Sequence, residues 1–207
     1  MTYFNFFRSD DNSATWYPMN LPFDFRNIPS FIIDNNDNIY AASRRDNWFY
    51  YSTDYGSSWL AMDKSFKDII SLEINSKGYI YIVFDDGSSI YRTTDNGKKW
   101  DFVKWDNTLS RLFIGNNDEL ILYNPIYGSN ISLNDGLTWN IINISPQTNE
   151  YEQPHDIVID GNILLFAGSE TGFHISTDGG LNWAVKNNGI KPNFEEGPEG
   201  DIEIFKI

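Results

Sequence analysis

The sequence predicts an all-β fold, a five-bladed β-propeller built from four-stranded antiparallel blades. Three observations lead there. One phrase, Ser/Thr-x-Asp-x-Gly-x-x-Trp, stands complete at 52–59, 93–100 and 176–183, carries Asn134 in place of Asp at 132–139, and survives in worn form at 9–16. Its tryptophans, Trp16, Trp59, Trp100, Trp139 and Trp183, lie 43, 41, 39 and 44 residues apart. A period of roughly 40–45 residues is the length of a four-stranded blade, and such units must stack to bury their apolar faces. Between the phrases, short β-branched and aromatic runs alternate with turn residues, and no stretch has the i, i+3, i+4 spacing of a helix.

Residues 67–104 contain one whole blade. Strand a is Ile69-Ile70-Ser71-Leu72-Glu73-Ile74, followed by the turn Asn75-Ser76-Lys77-Gly78. Strand b is 79–84, a turn follows at 85–88, strand c is 90–93, the phrase makes the next turn, and strand d opens on Trp100. The order repeats. Strand a with its turn returns at 30–38, 111–118 and 156–161, and strand b at 39–42, 120–123 and 163–166. These define one domain over 1–207, with blades near 28–62, 67–104, 108–143 and 154–188.

The fifth blade is split between the ends of the chain, 1–20 and 190–207. Residues 3–8 read as strand c and 15–19 as strand d. Residues 193–196 read as a short strand a after Pro192, and Asp201-Ile202-Glu203-Ile204-Phe205-Lys206-Ile207 as strand b. Joining them closes a ring and pairs sheet edges that would otherwise stay open.

The phrase explains itself as a hairpin turn. The hydroxyls of Ser9, Ser52, Thr93, Ser132 and Ser176 can accept bonds from turn N–H groups. So can the side chains of Asp11, Asp54, Asp95, Asn134 and Asp178. Gly56, Gly97, Gly136 and Gly180 supply a positive φ, and each tryptophan lays a large ring against the sheet. Asn134 argues against an ion-binding role shared by the copies. Ser13 replaces glycine in the worn copy, which is expected to be the most strained turn.

Composition narrows function. The chain has 207 residues, 41% of them hydrophobic, with a formal net charge of −14. That charge opposes nucleic acid and anionic membranes, since phosphate binding needs clustered Lys and Arg. No run is long and apolar enough for a membrane helix, and the first residues lack a basic, apolar leader. There is no cysteine, and His155 and His174 have no ligand spacing, so neither metal nor cofactor is expected. His174, in a strand c, reads as a surface residue of the sheet.

The phrase resembles the Asp-box, or BNR repeat, found in sialidases, sortilin-type receptors, xyloglucan-degrading glycosidases and a photosystem assembly factor. The resemblance covers nearly the whole chain. It implies that the turns are structural and lie away from a binding face. Phe25-Arg26-Asn27-Ile28-Pro29 is similar to the sialidase Phe/Tyr-Arg-Ile-Pro motif, whose arginine holds the substrate carboxylate. Ala42-Ser43-Arg44-Arg45 is similar to the stretch after it. The inserted Asn27 departs from that pattern, because one residue of slip in a strand turns a side chain to the other face. Arg26, Arg44 and Arg111 are the arginines open to a sialidase-like role, with Asp46 or Glu170 as acid. No HExxH, GxSxG or P-loop signature occurs, and the expectation is a chain without catalytic residues.

In a four-stranded blade the a–b and c–d turns share one end, and the b–c and d–a loops share the other. The loops at the second end differ from one another far more than the phrases do. A single composite site for a glycan or a protein segment is therefore expected there. Its candidate residues are Arg26, Arg44, Arg45, Trp48, Asp85, Asp86, Trp105, Arg111, Tyr127, Tyr151 and His155. The aromatics would stack on a sugar or anchor a peptide, and the charged groups would fix its polar atoms.

Overall fold

In a computed structural model, the residues described are 6–19, 21, 30–43, 48–63, 69–84, 89–105, 111–124, 128–142, 154–168 and 172–188. They form strands and turns with no helix among them. The chain divides into two compact units, Met1–Leu109 and Ser110–Ile207.

The first unit holds three antiparallel sheets. β1 (Phe7–Arg8) pairs with β2 (Tyr17–Pro18). β3 (Ser30–Ile33), β4 (Ile39–Ser43), β5 (Trp48–Ser52) and β6 (Leu60–Asp63) form the second sheet. β7 (Ile69–Ile74), β8 (Ile80–Phe84), β9 (Ser89–Thr93) and β10 (Asp101–Trp105) form the third. The second unit holds two sheets. One is β11 (Arg111–Ile114), β12 (Leu120–Tyr123), β13 (Ser129–Ser132) and β14 (Asn140–Ile142). The other is β15 (Pro154–Asp160), β16 (Ile163–Gly168), β17 (Gly172–Ser176) and β18 (Ala184–Val185). In every four-stranded sheet the strands lie in sequence order, as consecutive hairpins dictate. Residues 193–207, expected to supply strands a and b of a fifth blade, lie outside the described residues.

Burial explains the composition of the second strands. Every residue of β8 and β12 is buried, so Ile-Tyr-Ile-Val-Phe and Leu-Ile-Leu-Tyr are apolar on both faces instead of alternating. In the first unit, Ile32, Tyr40, Ala42 and Phe49 pack with Ile69, Leu72, Ile80, Ile82 and Phe84 of the next sheet. In the second, Phe113, Ile121 and Tyr123 pack with Ile157, Ile159, Leu164 and Phe166. Each fully buried aliphatic or aromatic side chain contributes about 1.5–3 kcal/mol. Strand β17 corrects one expectation. His174 is only 2% exposed and meets Phe166 edge-on at 6.1 Å, because it is the cross-strand partner of Phe166 and shares its core-facing side of the sheet.

The repeated turns share one bonding scheme. In the 52–59 copy, the Ser52 hydroxyl donates to Asp54 Oδ1 (2.9 Å) and accepts from the Gly56 N–H (2.8 Å). Asp54 Oδ1 also accepts from Ser58 N (2.7 Å). The Trp59 indole N–H donates to the Gly56 carbonyl at 3.2 Å. The 93–100, 132–139 and 176–183 copies repeat these contacts within a few tenths of an ångström. Each tryptophan stands just before the fourth strand instead of opening it, because its indole is tied back to the turn. Asn134 keeps the scheme with the bond reversed: its Oδ1 accepts from Thr138 N and its Nδ2 donates to the Thr138 hydroxyl, both at 2.9 Å.

The worn copy is the strained one. Asn12 and Ser13 both have positive φ, 54° and 68°, whereas glycine fills the second of these places elsewhere. Ser13→Gly is expected to stabilise the protein by about 0.5–1 kcal/mol, read as a higher urea midpoint at unchanged slope.

The hydrogen bonds also hold the turn carboxylates ionised. Bonds from the Ser58 hydroxyl and backbone bring Asp54 down to about 2, and bonds from the Asn182 amide and backbone bring Asp178 down to about 2. Both groups have folded values below their unfolded ones, so the stability they add is complete above about pH 4. It drains as pH falls towards 2. Denaturation midpoints measured across this window should fall for the natural chain. The slope should flatten in Asp54→Asn, which installs the residue of the 132–139 copy.

Candidate functional site

The two ends of each sheet are built differently. At one end the a–b and c–d turns meet: the Gly179 N–H donates to the Asn162 carbonyl (2.9 Å), joining the β15–β16 turn to the β17–β18 turn. The a–b turns have their own side-chain scheme. Asp34 Oδ1 accepts from the N–H groups of Asn36 and Asn38 at 2.9 Å, and Asn75 does the same for Lys77 and Tyr79. Burial works against ionisation of Asp34, but bonds from Asn38, Asn36 and Tyr40 outweigh it and lower its pKa. Burial and the neighbouring Asp34 carboxylate push the Tyr40 hydroxyl well above its usual range. Gly115 replaces this acidic residue in the third such turn. The Glu119 carboxylate folds into the vacated space and accepts from Asn117 N (2.9 Å) and Nδ2 (3.1 Å). This second repeated device was missed in the sequence reading, since Asp34, Asn75 and Gly115 share a position and no residue type.

The opposite end is irregular. All four register shifts in the described sheets fall there: between Phe49 and Tyr50, Ile69 and Ser71, Phe102 and Lys104, and Pro154 and Asp156. Trp48 and Trp105, expected in loops, are the first residue of β5 and the last of β10, paired with Ser43 and Ser89. His155 is the extra residue of the β15 bulge. Arg111 opens β11, and its guanidinium donates to the Pro154 carbonyl at 3.1 Å, which places it beside that bulge. Arg26, Arg44, Arg45, Asp85, Asp86, Tyr127 and Tyr151 lie outside the described residues.

Polar groups near this end, two of them buried and one half-buried, escaped the sequence reading. Asp156 is 9% exposed and accepts from Ile157 N at 2.9 Å. Asn124 is buried, and its N–H donates to the Ser129 hydroxyl at 3.2 Å. Asn187 Oδ1 accepts from Phe173 N at 2.8 Å. A polar residue flanked by strand residues was the available signal.

A hollow of about 600 Å³ lies at the turn end of the first unit. Phe6, Trp16, Met19, Phe31 and Ile39 line it, with Arg8 at its side. Arg8 donates to the Tyr55 carbonyl (2.9 Å) and stands 5.2 Å from the Tyr55 ring centre, so it serves the neighbouring turn. Among the described residues no group of His, Asp and Glu is placed to hold a metal ion.

No protein-family model matches the chain. Among curated proteins, it is 34% identical to the xyloglucanase Xgh74A of Acetivibrio thermocellus, over 46% of this chain and 16% of that enzyme. It is 30% identical to a xyloglucanase of Paenibacillus sp, over 46% of this chain and 13% of the relative. The match thus spans less than a fifth of either relative's length. Among solved structures, YCF48 bound to D1 peptide superposes with a TM-score of 0.62 at 17% identity, covering 86% of this chain and 59% of that one. YCF48 from Cyanidioschyzon merolae gives 0.61 at 15% identity, over 86% and 62%. The GH74 xyloglucanase of Xanthomonas campestris gives 0.61 at 18%, over 86% and 33%. At these identities the likeness speaks for architecture, and with the sheets above it shows an all-β propeller fold of four-stranded antiparallel sheets.

Proposed function

We propose that the chain is a non-catalytic binding module that recognises a glycan or a protein segment at the loop end of its sheets. The observation that carries this reading is the asymmetry of the sheets. Their turn ends repeat and close on their own hydrogen bonds, whereas every register shift among the described residues falls at the other end. Bulges gather where strands re-aim side chains next to functional sites, and loops on a rigid scaffold carry function. The likeness to YCF48 bound to a D1 peptide supports a protein segment, and the likeness to xyloglucanases supports a glycan.

The test is an array of glycans, including xyloglucan and sialoside oligosaccharides, run beside a peptide array, with product release assayed on the same sample. A glycan ligand should bind in the micromolar to millimolar range and be lost in Trp48→Ala. A scaffold should ignore the sugars and retain peptides. Product release abolished by Arg44→Ala would replace the reading with a sialidase-like hydrolase, and silence on both arrays would sink it.

The Asp-box identity of the turns and a single five-bladed ring belong to the same proposal, with strands c and d from the N-terminal end and strands a and b from the C-terminal end. Removing residues 201–207 should then lower the melting temperature by several degrees. An unchanged melt would rule out that closure.

A further inference from the structure

The second unit exposes apolar side chains that its fold does not use. Residues 110–207 carry four Lys or Arg against fourteen Asp or Glu, a net of −10, while residues 1–109 carry eleven against fifteen, a net of −4. Within this acidic unit Leu133, Leu137, Ile141, Leu181 and Val185 are 71, 76, 80, 81 and 61% exposed. The turn scheme uses the first, third, fifth, seventh and eighth residues of the phrase and only the backbone N–H of the sixth, which donates to the third residue's carbonyl, so the side chains at the second and sixth positions are free to vary. These positions hold Asp10, Thr53, Thr94 and Thr177 against Leu133, and Ala14, Ser57 and Lys98 against Leu137 and Leu181. The leucine side chains at these places serve no bond of the turn.

The residues belong to the two neighbouring sheets of this unit. Ile142 and Trp183 pack against the same core cluster. Ile142 also holds the place after its tryptophan that Met19 and Met62 hold in the first unit, where they stand against Gly56 and Gly97 of the next turn, so the repeat sets β14 towards the turn that ends in Trp183. Ile141, next to Ile142, faces out. Leu181 stands two residues before Trp183 and Val185 two after it. Leu133 and Leu137 belong to the turn that leads into β14.

We propose that this strip, at the turn end and outer edge of the second unit, docks a basic segment of another protein that carries leucine or aromatic side chains between lysines or arginines. Apolar side chains of the segment would bury the strip, and the unit's excess of carboxylates would attract its cations. The unit's charge selects this occupant. A second copy would bring another net −10 surface, and nucleic acid or anionic lipid would be repelled. The surface is separate from the loop end proposed above, so failure at either leaves the other standing.

The experiment uses the full chain and a fluorescein-labelled amphipathic peptide of leucine and lysine, followed by anisotropy at low and physiological salt. A control peptide keeps the lysines and replaces the leucines with serine. The variant Leu133→Thr/Leu137→Ser/Leu181→Ser installs the residue types of the other turns and keeps the charge. Its melting temperature, expected to match that of the natural chain, reports that it folds. The natural chain should bind the leucine-containing peptide, and the variant should bind it about tenfold more weakly. The control peptide should bind both proteins alike and weakly. Equal binding of the leucine peptide by both proteins would reduce the effect to bulk charge and overturn the proposal. A concentration-dependent dimer of the natural chain, absent in the variant, would overturn it in favour of self-association.

Discussion

Gly97→Ala is expected to destabilise the protein by about 2–4 kcal/mol, read as a fall in urea midpoint at constant slope. Two costs add. Gly97 has φ 85°, where an L side chain costs about 1–2 kcal/mol. A Cβ there would also stand 2.9 Å from Phe49 Cε1, 3.3 Å from Met62 Sδ and 3.4 Å from Met62 Cε. Phe49 is fully buried and cannot retreat without opening the core between the second and third sheets. Met62 is flexible and gives way more cheaply. Gly78→Ala separates the two costs. Gly78 has nearly the same φ, 78°, but no atom lies within 4 Å of the place a Cβ would take. It should cost about 1 kcal/mol, the conformational part alone. Equal effects at the two sites would show that Gly97 is kept for its dihedral and not for the approach of the neighbouring sheet.

The same glycine shows what the sequence makes legible. Its place in the phrase announces a positive φ, and the regular tryptophan spacing announces a stacked sheet, so turn and architecture can both be read from residues. Its contact with Phe49 cannot, because packing between sheets depends on how far the third residue after each tryptophan reaches. Met19 and Met62 fill that role in the first unit, and Ile142, at the same place in the second, packs against the core cluster that also receives Trp183. Strands β7 and β12 match their expected ranges residue for residue, while β15 begins at Pro154, two residues earlier than expected. That difference is the bulge: a register shift at His155 has no period-two signature to betray it. His174 was misplaced for a related reason. Period two tells which residues share a face, but not which face meets the core, and His174 and Ser176 are on the buried one. For the binding end, sequence gives residue types and connectivity, and of the expected residues the structure places Arg111 against the bulge that holds His155. Convergence of residues from separate loops is a property of three-dimensional closure, which spacing does not encode.

Trp100→Ala should cost about 2–4 kcal/mol, while Trp16→Ala should cost about 1 kcal/mol or less. The two tryptophans hold the same place in the phrase and differ in what they touch. The Trp100 ring meets Phe49 edge-on, with centres 5.3 Å apart and planes at 89°, and its indole N–H donates to the Gly97 carbonyl at 3.1 Å. It is half-buried against the core of the first unit, so truncation removes apolar contact, an aromatic pair and a turn bond together. Trp16 is 57% exposed, and among the described residues its indole N–H has no acceptor. In the worn copy the turn is still closed by Ser9 and Asp11, whose side chains accept from Ser13 N and Thr15 N at 2.8 Å. That turn can therefore stand without its tryptophan, whereas Trp100 is the piece that fastens one sheet to the next. Comparable losses from the two substitutions, measured by denaturation in the same buffer, would mean that the tryptophans act within their own turns and that contact between sheets is secondary.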